Sequence, residues 1–182
     1  WLRVLAIIIP YFLIVGLFQV AGALLADVPM GDINYQETTM QYVITTAFSF
    51  LGTFLLIWLF MKFVDKEKFI EVGLQIKNRK KDIAIGILFG LIIMTIAYFG
   101  LAASKEIVFS KLNFNFQELL LTTVLFTLVA ILEEVLFRGY IQKNLMLSFN
   151  KYVALIVASA IFALMHGANP NISLFSLLGL FL

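Results

Sequence analysis

Six apolar stretches, separated by short polar segments, constrain this chain more than any other feature of its sequence. They are residues 4–26, 40–64, 83–103, 119–132, 152–165 and 172–182. A helix needs about 20 apolar residues to cross a hydrocarbon core of about 30 Å. The first three stretches are long enough, the next two open further spans, and the sixth is cut short. The pattern predicts an all-α, polytopic transmembrane helical bundle with at least five full spans plus a truncated sixth.

The composition excludes several classes of protein. Hydrophobic residues make up 62% of the chain and charged residues 13%, whereas a soluble domain is about half apolar and a quarter charged. The charges, 13 basic against 11 acidic, are too balanced for a nucleic-acid partner. The chain has no cysteine and one histidine, which excludes disulfides, thiolate metal sites and cysteine nucleophiles.

The short loops predict how the chain is oriented in the membrane. The 65–81 loop contains six Lys or Arg residues, and the 26–39 loop contains none but has three acidic residues. Cytoplasmic loops are enriched in Lys and Arg, so we expect a multi-pass cell-membrane protein whose observed N-terminus and 65–81 loop are cytoplasmic. The lipid bilayer is the predicted partner of this protein. An alternative role for the Lys and Arg residues of the 65–81 loop is to bind anionic lipid headgroups.

Three charged residues, Glu133, Glu134 and Arg138, interrupt the fourth apolar stretch. A charge at the centre of a span costs about 2.5–3.5 kcal/mol on insertion scales. In one interpretation Glu133 ends the span at the interface and Arg138 snorkels. That interpretation leaves only residues 119–132 to cross the membrane, which is short, and apolar residues continue after the charges. We therefore expect the charges to be inside the membrane.

The spacing of the glutamates and the histidine favours a shared site. If the polar residues 148–151 form the tip of a helical hairpin, Glu133 and His166 are equally far from its centre along the chain. At 1.5 Å per residue both lie about 25 Å from the tip. The two side chains are therefore predicted to share one membrane depth.

Helical geometry predicts which of these charged side chains pair with each other. Glu134 and Arg138 are spaced i,i+4 and can pair, which leaves Glu133 free to face His166. Phe162 lies one turn before His166 on the same face and is predicted to line the pocket.

A turn is predicted directly after His166, at the Gly-Ala-Asn-Pro-Asn sequence of residues 167–171. Broken helices are tolerated in membranes beside protein or a wet cavity. Asn169 and Asn171 either donate hydrogen bonds to such a site or are plain turn residues.

Two motifs carry a family resemblance. The sequence EEVLFRGY at residues 133–140 matches E-E-x-x-x-R, and FALMH at residues 162–166 matches F-x-x-x-H. In this order, in neighbouring apolar helices, they resemble the CAAX protease and bacteriocin-processing (CPBP, or Abi) family, which includes type II CAAX prenyl endopeptidases and many bacterial proteins. The resemblance covers residues 82–182 best. It divides the chain into a two-span region with the basic loop, residues 1–81, and a C-terminally truncated catalytic membrane domain, residues 82–182.

The resemblance implies an intramembrane endopeptidase. It implies Glu133, Glu134 and His166 as catalytic residues, with Glu133 and His166 activating water and Arg138 and Phe162 in support. The implied substrates are membrane-associated peptides, among them prenylated peptides and bacteriocin or pheromone precursors. The family pattern also has a later histidine followed by Asn or Asp. That part is absent here, and the chain starts with Trp, so we expect a fragment.

Two questions stay open at the level of sequence. A divalent metal such as zinc, held by Glu133, His166 and a further ligand beyond Leu182, is one way to activate water. A metal-free glutamate mechanism uses the same atoms equally well. The alternative to an enzyme is a transporter, ion relay or bacteriocin-immunity protein that uses the Glu/Arg/His cluster without turnover.

Overall fold

The computed structural model describes residues 1–32, 35–111, 113–167, 169 and 172–181, and every regular element among them is helical. The all-α class is confirmed. The α-helices are α1 (Leu2–Leu25), α2 (Thr39–Phe60), α3 (Lys80–Ala103), α4 (Phe116–Glu133), α5 (Lys143–Met146), α6 (Lys151–His166) and α7 (Leu174–Phe181). A π-helix, Glu134–Gln142, joins α4 to α5, a π-helical turn, Met61–Asp65, extends α2, and a 3₁₀ turn covers Phe69–Val72.

Four helical segments in the described part of the chain are long and apolar enough to span a membrane. They are Leu2–Leu25, Thr39–Asp65, Lys80–Ala103 and Phe116–Met146. The fifth predicted span is α6, which has 16 residues and falls short of the roughly 20 that a perpendicular crossing needs. The sixth stretch contains α7, with eight residues. The predicted count of five full spans is therefore not confirmed.

The chain divides into two compact units. One comprises residues 1–73 and 117–182, and the other comprises residues 74–116. The second unit is built on α3. The first contains α1, α2 and the helices that carry the glutamates and the histidine, so the candidate site lies within one unit.

Two glycines allow α1 and α2 to pack closely. A Cβ atom added to Gly22 of α1 would lie 2.9 Å from Cβ of Phe48, and one added to Gly52 of α2 would lie 3.0 Å from Cβ of Phe18. Each helix thus presents a glycine to a phenylalanine of the other. Small residues are favoured at such interfaces because helices in lipid associate through close van der Waals packing.

The hairpin that positions the site turns where the polar sequence predicts. The last turn before it ends at Leu147, and the carbonyl of Leu145 accepts hydrogen bonds from the amides of Ser148 and Phe149. Asn150 then caps α6, its side chain accepting hydrogen bonds from the amides of Tyr152 and Val153. An N-cap side chain satisfies amide donors that a helix start leaves without partners.

The segment that follows α2 folds back on the π-helix, and we call residues 65–72 the latch. Glu67 forms an ion pair with Lys143, and Glu71 lies 3.8 Å from the same ammonium group. The carbonyl oxygen of Val72 lies so close to Gly139 that a Cβ atom there would be 2.3 Å from it. The latch therefore contacts the helix that carries Glu134 and Arg138.

Two contacts bring the start of α1 to the same end of this unit. Arg3 forms an ion pair with Asp65 at 2.9 Å, and the amino group of Trp1 donates to Oγ of Ser148 at 2.9 Å. The N-terminus, the start of the basic loop and the hairpin tip thus lie together. This grouping agrees with the orientation predicted from the Lys and Arg residues.

Candidate active site

The helix that carries the glutamates does not end at the charges. Glu133 is the last residue of α4, and helical structure continues through the π-helix and α5 to Met146. The whole segment Phe116–Met146 qualifies as one span. Glu133 therefore lies within a continuous helix, and the position of the membrane surface along that helix stays a prediction.

Glu133 and His166 meet across the hairpin. Nε2 of His166, the last residue of α6, lies 3.3 Å from Oε1 of Glu133. The Glu133 side chain is 31% exposed and that of His166 is 22% exposed, so both are partly enclosed but reachable. This contact agrees with the shared depth that the chain spacing predicts.

The other ring nitrogen determines where the histidine carries its proton. Nδ1 of His166 lies 2.9 Å from the carbonyl oxygen of Phe162. Because a carbonyl oxygen only accepts hydrogen bonds, Nδ1 is the donor. Nε2 is then the atom that faces Glu133.

Two aromatic rings form the wall behind the histidine. The rings of Phe162 and His166 are 4.4 Å apart between centroids. The ring of Phe137, from the π-helix, meets Phe162 edge-on at 4.8 Å and 87°. These contacts hold the imidazole on its apolar side and leave its Nε2 edge toward Glu133. Phe162 thus lies where the sequence predicts.

Glu134 pairs with Arg138 within the π-helix, as their spacing predicts, and both line a cavity. The cavity has a volume of about 180 Å³. Its walls come from the end of α4, the π-helix, α6 and α7. The lining residues are Glu133, Glu134, Phe137, Arg138, Gln142, Leu155, Ala158, Ser159, Phe162, Leu180 and Phe181. Its polar groups therefore lie mainly on the π-helix, whereas α6 and α7 present mainly apolar ones.

The π-helix and the positions of Gln142 and Ser159 at the cavity were not predicted from the sequence. Short π-helical turns are often found at functional sites, but side-chain periodicity does not distinguish nine residues of π-helix from α-helix. Gln142 follows Arg138 at i+4 and Ser159 precedes His166 at i−7. That spacing puts each on the cavity side of its helix and is the signal that could have identified them.

The helix break after His166 is present. α6 ends at His166 and α7 begins at Leu174. The backbone amide of Asn169 donates to the carbonyl oxygen of His166 at 3.0 Å, as expected of a turn residue. Asn171 lies outside the described residues, so its predicted role stays a prediction.

The described residues do not form a complete metal site. Among them, no group of three or more His, Asp or Glu side chains is arranged to hold a metal ion. A catalytic zinc ion usually has three protein ligands, and only Glu133 and His166 come together here as candidates. We therefore derive no step through a metal.

Comparison with known families supports the two motifs. Residues 114–182 match the family model described as type II CAAX prenyl endopeptidase Rce1-like. The predicted resemblance is confirmed for this segment. The matched segment contains all five predicted site residues, and the four long apolar helices in the described part of the chain indicate a multi-pass membrane protein. Comparisons with curated proteins and with solved structures gave no match.

Proposed function

We propose that this protein is an intramembrane endopeptidase in which Glu133 and His166 activate the water that attacks a peptide bond. The observation that carries the proposal is the 3.3 Å contact between Nε2 of His166 and Oε1 of Glu133, at the edge of a cavity between apolar helices. A carboxylate and an imidazole within hydrogen-bond reach of one water molecule are suited to general acid–base catalysis.

In the proposed reaction one proton moves from water to Glu133 and then to the leaving nitrogen. Water binds beside Glu133, whose carboxylate takes one of its protons while the oxygen forms a bond to the carbonyl carbon of the peptide. The tetrahedral intermediate carries the negative charge on the former carbonyl oxygen. As the C–N bond breaks, the proton passes from Glu133 to the leaving nitrogen, which gives a free carboxyl group and a free amine.

His166 orients the carboxylate in this scheme. Its Nδ1–H is held by the carbonyl of Phe162, so Nε2 stays directed at Glu133 and the water. Glu134 acts through Arg138, to which it is paired. The pair places a positive guanidinium group beside the cavity, where it favours the negative charge that develops in the transition state.

The proposed substrates are membrane-associated peptides. The cavity presents the apolar side chains of Leu155, Phe162 and Leu180 next to the acidic residues, which suits a short peptide with apolar side chains. Prenylated peptides and bacteriocin or pheromone precursors are the candidate classes. A metal at Glu133 and His166 would need a further ligand, and this scheme does not use one.

The test replaces the carboxylate that takes the proton. Glu133→Gln keeps the size of the side chain and removes its basicity, so we expect cleavage to fall by at least a thousandfold, while expression and thermal unfolding stay near wild type. The readout is cleavage of a quenched fluorescent peptide library in liposomes, half of it farnesylated and half unmodified. Glu106→Gln, an exposed carboxylate in the other compact unit, is the matched control and should cleave normally.

Wild-type rates in the Glu133→Gln variant would show that Glu133 is not the base. If the wild-type protein cleaves no peptide, the endopeptidase proposal fails. The non-enzymatic alternatives, an ion relay or an immunity protein, would then be favoured.

A further inference from the structure

We infer that the cavity is a binding site for an extended peptide, and that Gln142 and Ser159 hydrogen-bond the peptide backbone and set its register. Both residues line the cavity. The inference rests on the proposed function and adds the residues that align a substrate with Glu133.

Ser159 differs from several other hydroxyl residues of the apolar helices. The hydroxyls of Thr95, Thr123 and Thr127 each donate to the carbonyl oxygen four residues earlier, at 2.7 Å. Such back-bonding is the usual way to satisfy a hydroxyl within a helix. The Ser159 hydroxyl makes no hydrogen bond with any residue that the structure describes, and it borders the cavity. It is therefore available to a ligand.

Gln142 offers a second set of polar atoms at nearly the same depth. It is half-buried, lines the cavity and makes no side-chain hydrogen bond within the described part of the chain. Counted along their helices from the hairpin tip, Gln142 lies about 11 Å and Ser159 about 14 Å away. The two side chains thus offer donors and acceptors on opposite walls, one on the π-helix and one on α6.

The spacing to the proposed catalytic residues matches an extended peptide. Ser159 lies about 10 Å along α6 from His166, and Gln142 lies up to about 13 Å along the helix from Glu133. An extended chain advances about 3.3 Å per residue, so these distances correspond to three or four residues. The apolar side chains of Leu155, Leu180 and Phe181 lie in the same cavity and suit the peptide's own side chains.

An extended peptide has backbone amides and carbonyls that must find partners when it leaves water. A cavity with walls that are only apolar would not bind it. Gln142 can both donate and accept, and the Ser159 hydroxyl can do either. The inferred ligand is therefore a peptide backbone, bound on the hairpin-tip side of the bond that is cut.

The test measures binding and cleavage separately. Ser159→Ala and Gln142→Ala should each raise KM about tenfold and change kcat less than twofold, because each removes one or two hydrogen bonds made equally in the bound and transition states. Thr123→Ala, whose hydroxyl is already bonded within α4, and the exposed Gln75→Ala are the matched controls and should leave KM unchanged. The probes are the most rapidly cleaved library peptide and its single N-methyl derivatives, each of which lacks one backbone N–H.

A double-mutant cycle separates a direct contact from a structural effect. N-methylation at one position, three or four residues from the cut, should weaken binding to the wild-type protein about tenfold. It should have little further effect in Ser159→Ala or Gln142→Ala. Full additivity at every position, or an unchanged KM in both variants, would overturn the inference and leave the proposed function intact.

Binding to Glu133→Gln makes the inference testable without turnover. Fluorescence anisotropy of labelled library peptides, farnesylated and unmodified, gives their affinity in detergent micelles. Affinity that depends on Ser159 and Gln142 in the absence of any wild-type cleavage would support the peptide site and reject the protease. Absence of binding to both the wild-type protein and Glu133→Gln would reject the peptide site.

Discussion

At the scale of single residues, the site follows from which atoms are left without a partner. Glu134 forms an ion pair with Arg138, and Nδ1 of His166 donates a hydrogen bond to the carbonyl oxygen of Phe162. Nε2 of His166 and the carboxylate of Glu133 are left to face each other. The sequence predicts this division, because i,i+4 spacing and equal depth are both properties of residue numbers. It does not predict which nitrogen faces the glutamate, because that depends on a backbone carbonyl whose position only the fold provides.

One prediction at this scale concerns the Glu134–Arg138 pair. Glu134→Gln should lower the thermal unfolding temperature and reduce kcat/KM on the order of tenfold, because the guanidinium loses its counter-ion in a medium that solvates charge poorly. The double variant Glu134→Gln/Arg138→Gln should recover most of the stability, since it removes both charges, but not the activity. A single variant with unchanged stability and activity would contradict the supporting role of the pair.

At the scale of helices and turns, apolar length predicts α1, α2, α3 and α4 within a few residues, because crossing a membrane demands a minimum run. The same criterion fails for α6, whose 16 residues form a helix but are too few to cross the membrane fully. The latch was not predicted. Its basic residues were interpreted as a topological signal, whereas Glu67 and Glu71 form its contacts with Lys143. The sequence shows the sign of each charge, but it does not show which opposite charge each one will pair with. Glu67 and Lys143 are 76 positions apart in the chain.

The prediction at this scale concerns the contact between the latch and the π-helix. Gly139→Ala would place a Cβ atom 2.3 Å from the Val72 carbonyl oxygen, so the latch or the π-helix must move. We expect a loss of stability of about 1–3 kcal/mol, as for other overpacked sites, together with reduced cleavage. Gly86→Ala in α3 is the matched control, because its Cβ would meet no atom within 4 Å and alanine favours a helix. Equal unfolding temperatures for the two variants, measured in detergent, would argue against a tight latch contact.

At the scale of the whole molecule, the fold ties together three parts of the chain that the sequence assigns to one side of the membrane. Arg3, Asp65 and Lys143 belong to these parts, and their ion pairs hold them at one end of their unit. The 26–39 loop joins the opposite ends of α1 and α2. An ion pair is independent of the Lys and Arg bias of loops, so the ion pairs and the loop charges support the same grouping separately.

The final prediction uses the absence of cysteine in the chain. Single variants Met30→Cys, Lys68→Cys and Leu147→Cys put a thiol in the 26–39 loop, in the latch and at the hairpin tip, all at exposed positions. In intact cells, a membrane-impermeant maleimide should label only Met30→Cys, and permeabilised cells should show labelling of all three, because Lys- and Arg-rich loops remain cytoplasmic. Labelling of Lys68→Cys and Leu147→Cys but not Met30→Cys in intact cells would reverse the orientation and keep the fold. Labelling of only one of these two variants would place the latch and the hairpin tip on opposite sides of the membrane. The ion pair between Glu67 of the latch and Lys143 of α5, the short helix just before the tip, does not permit that.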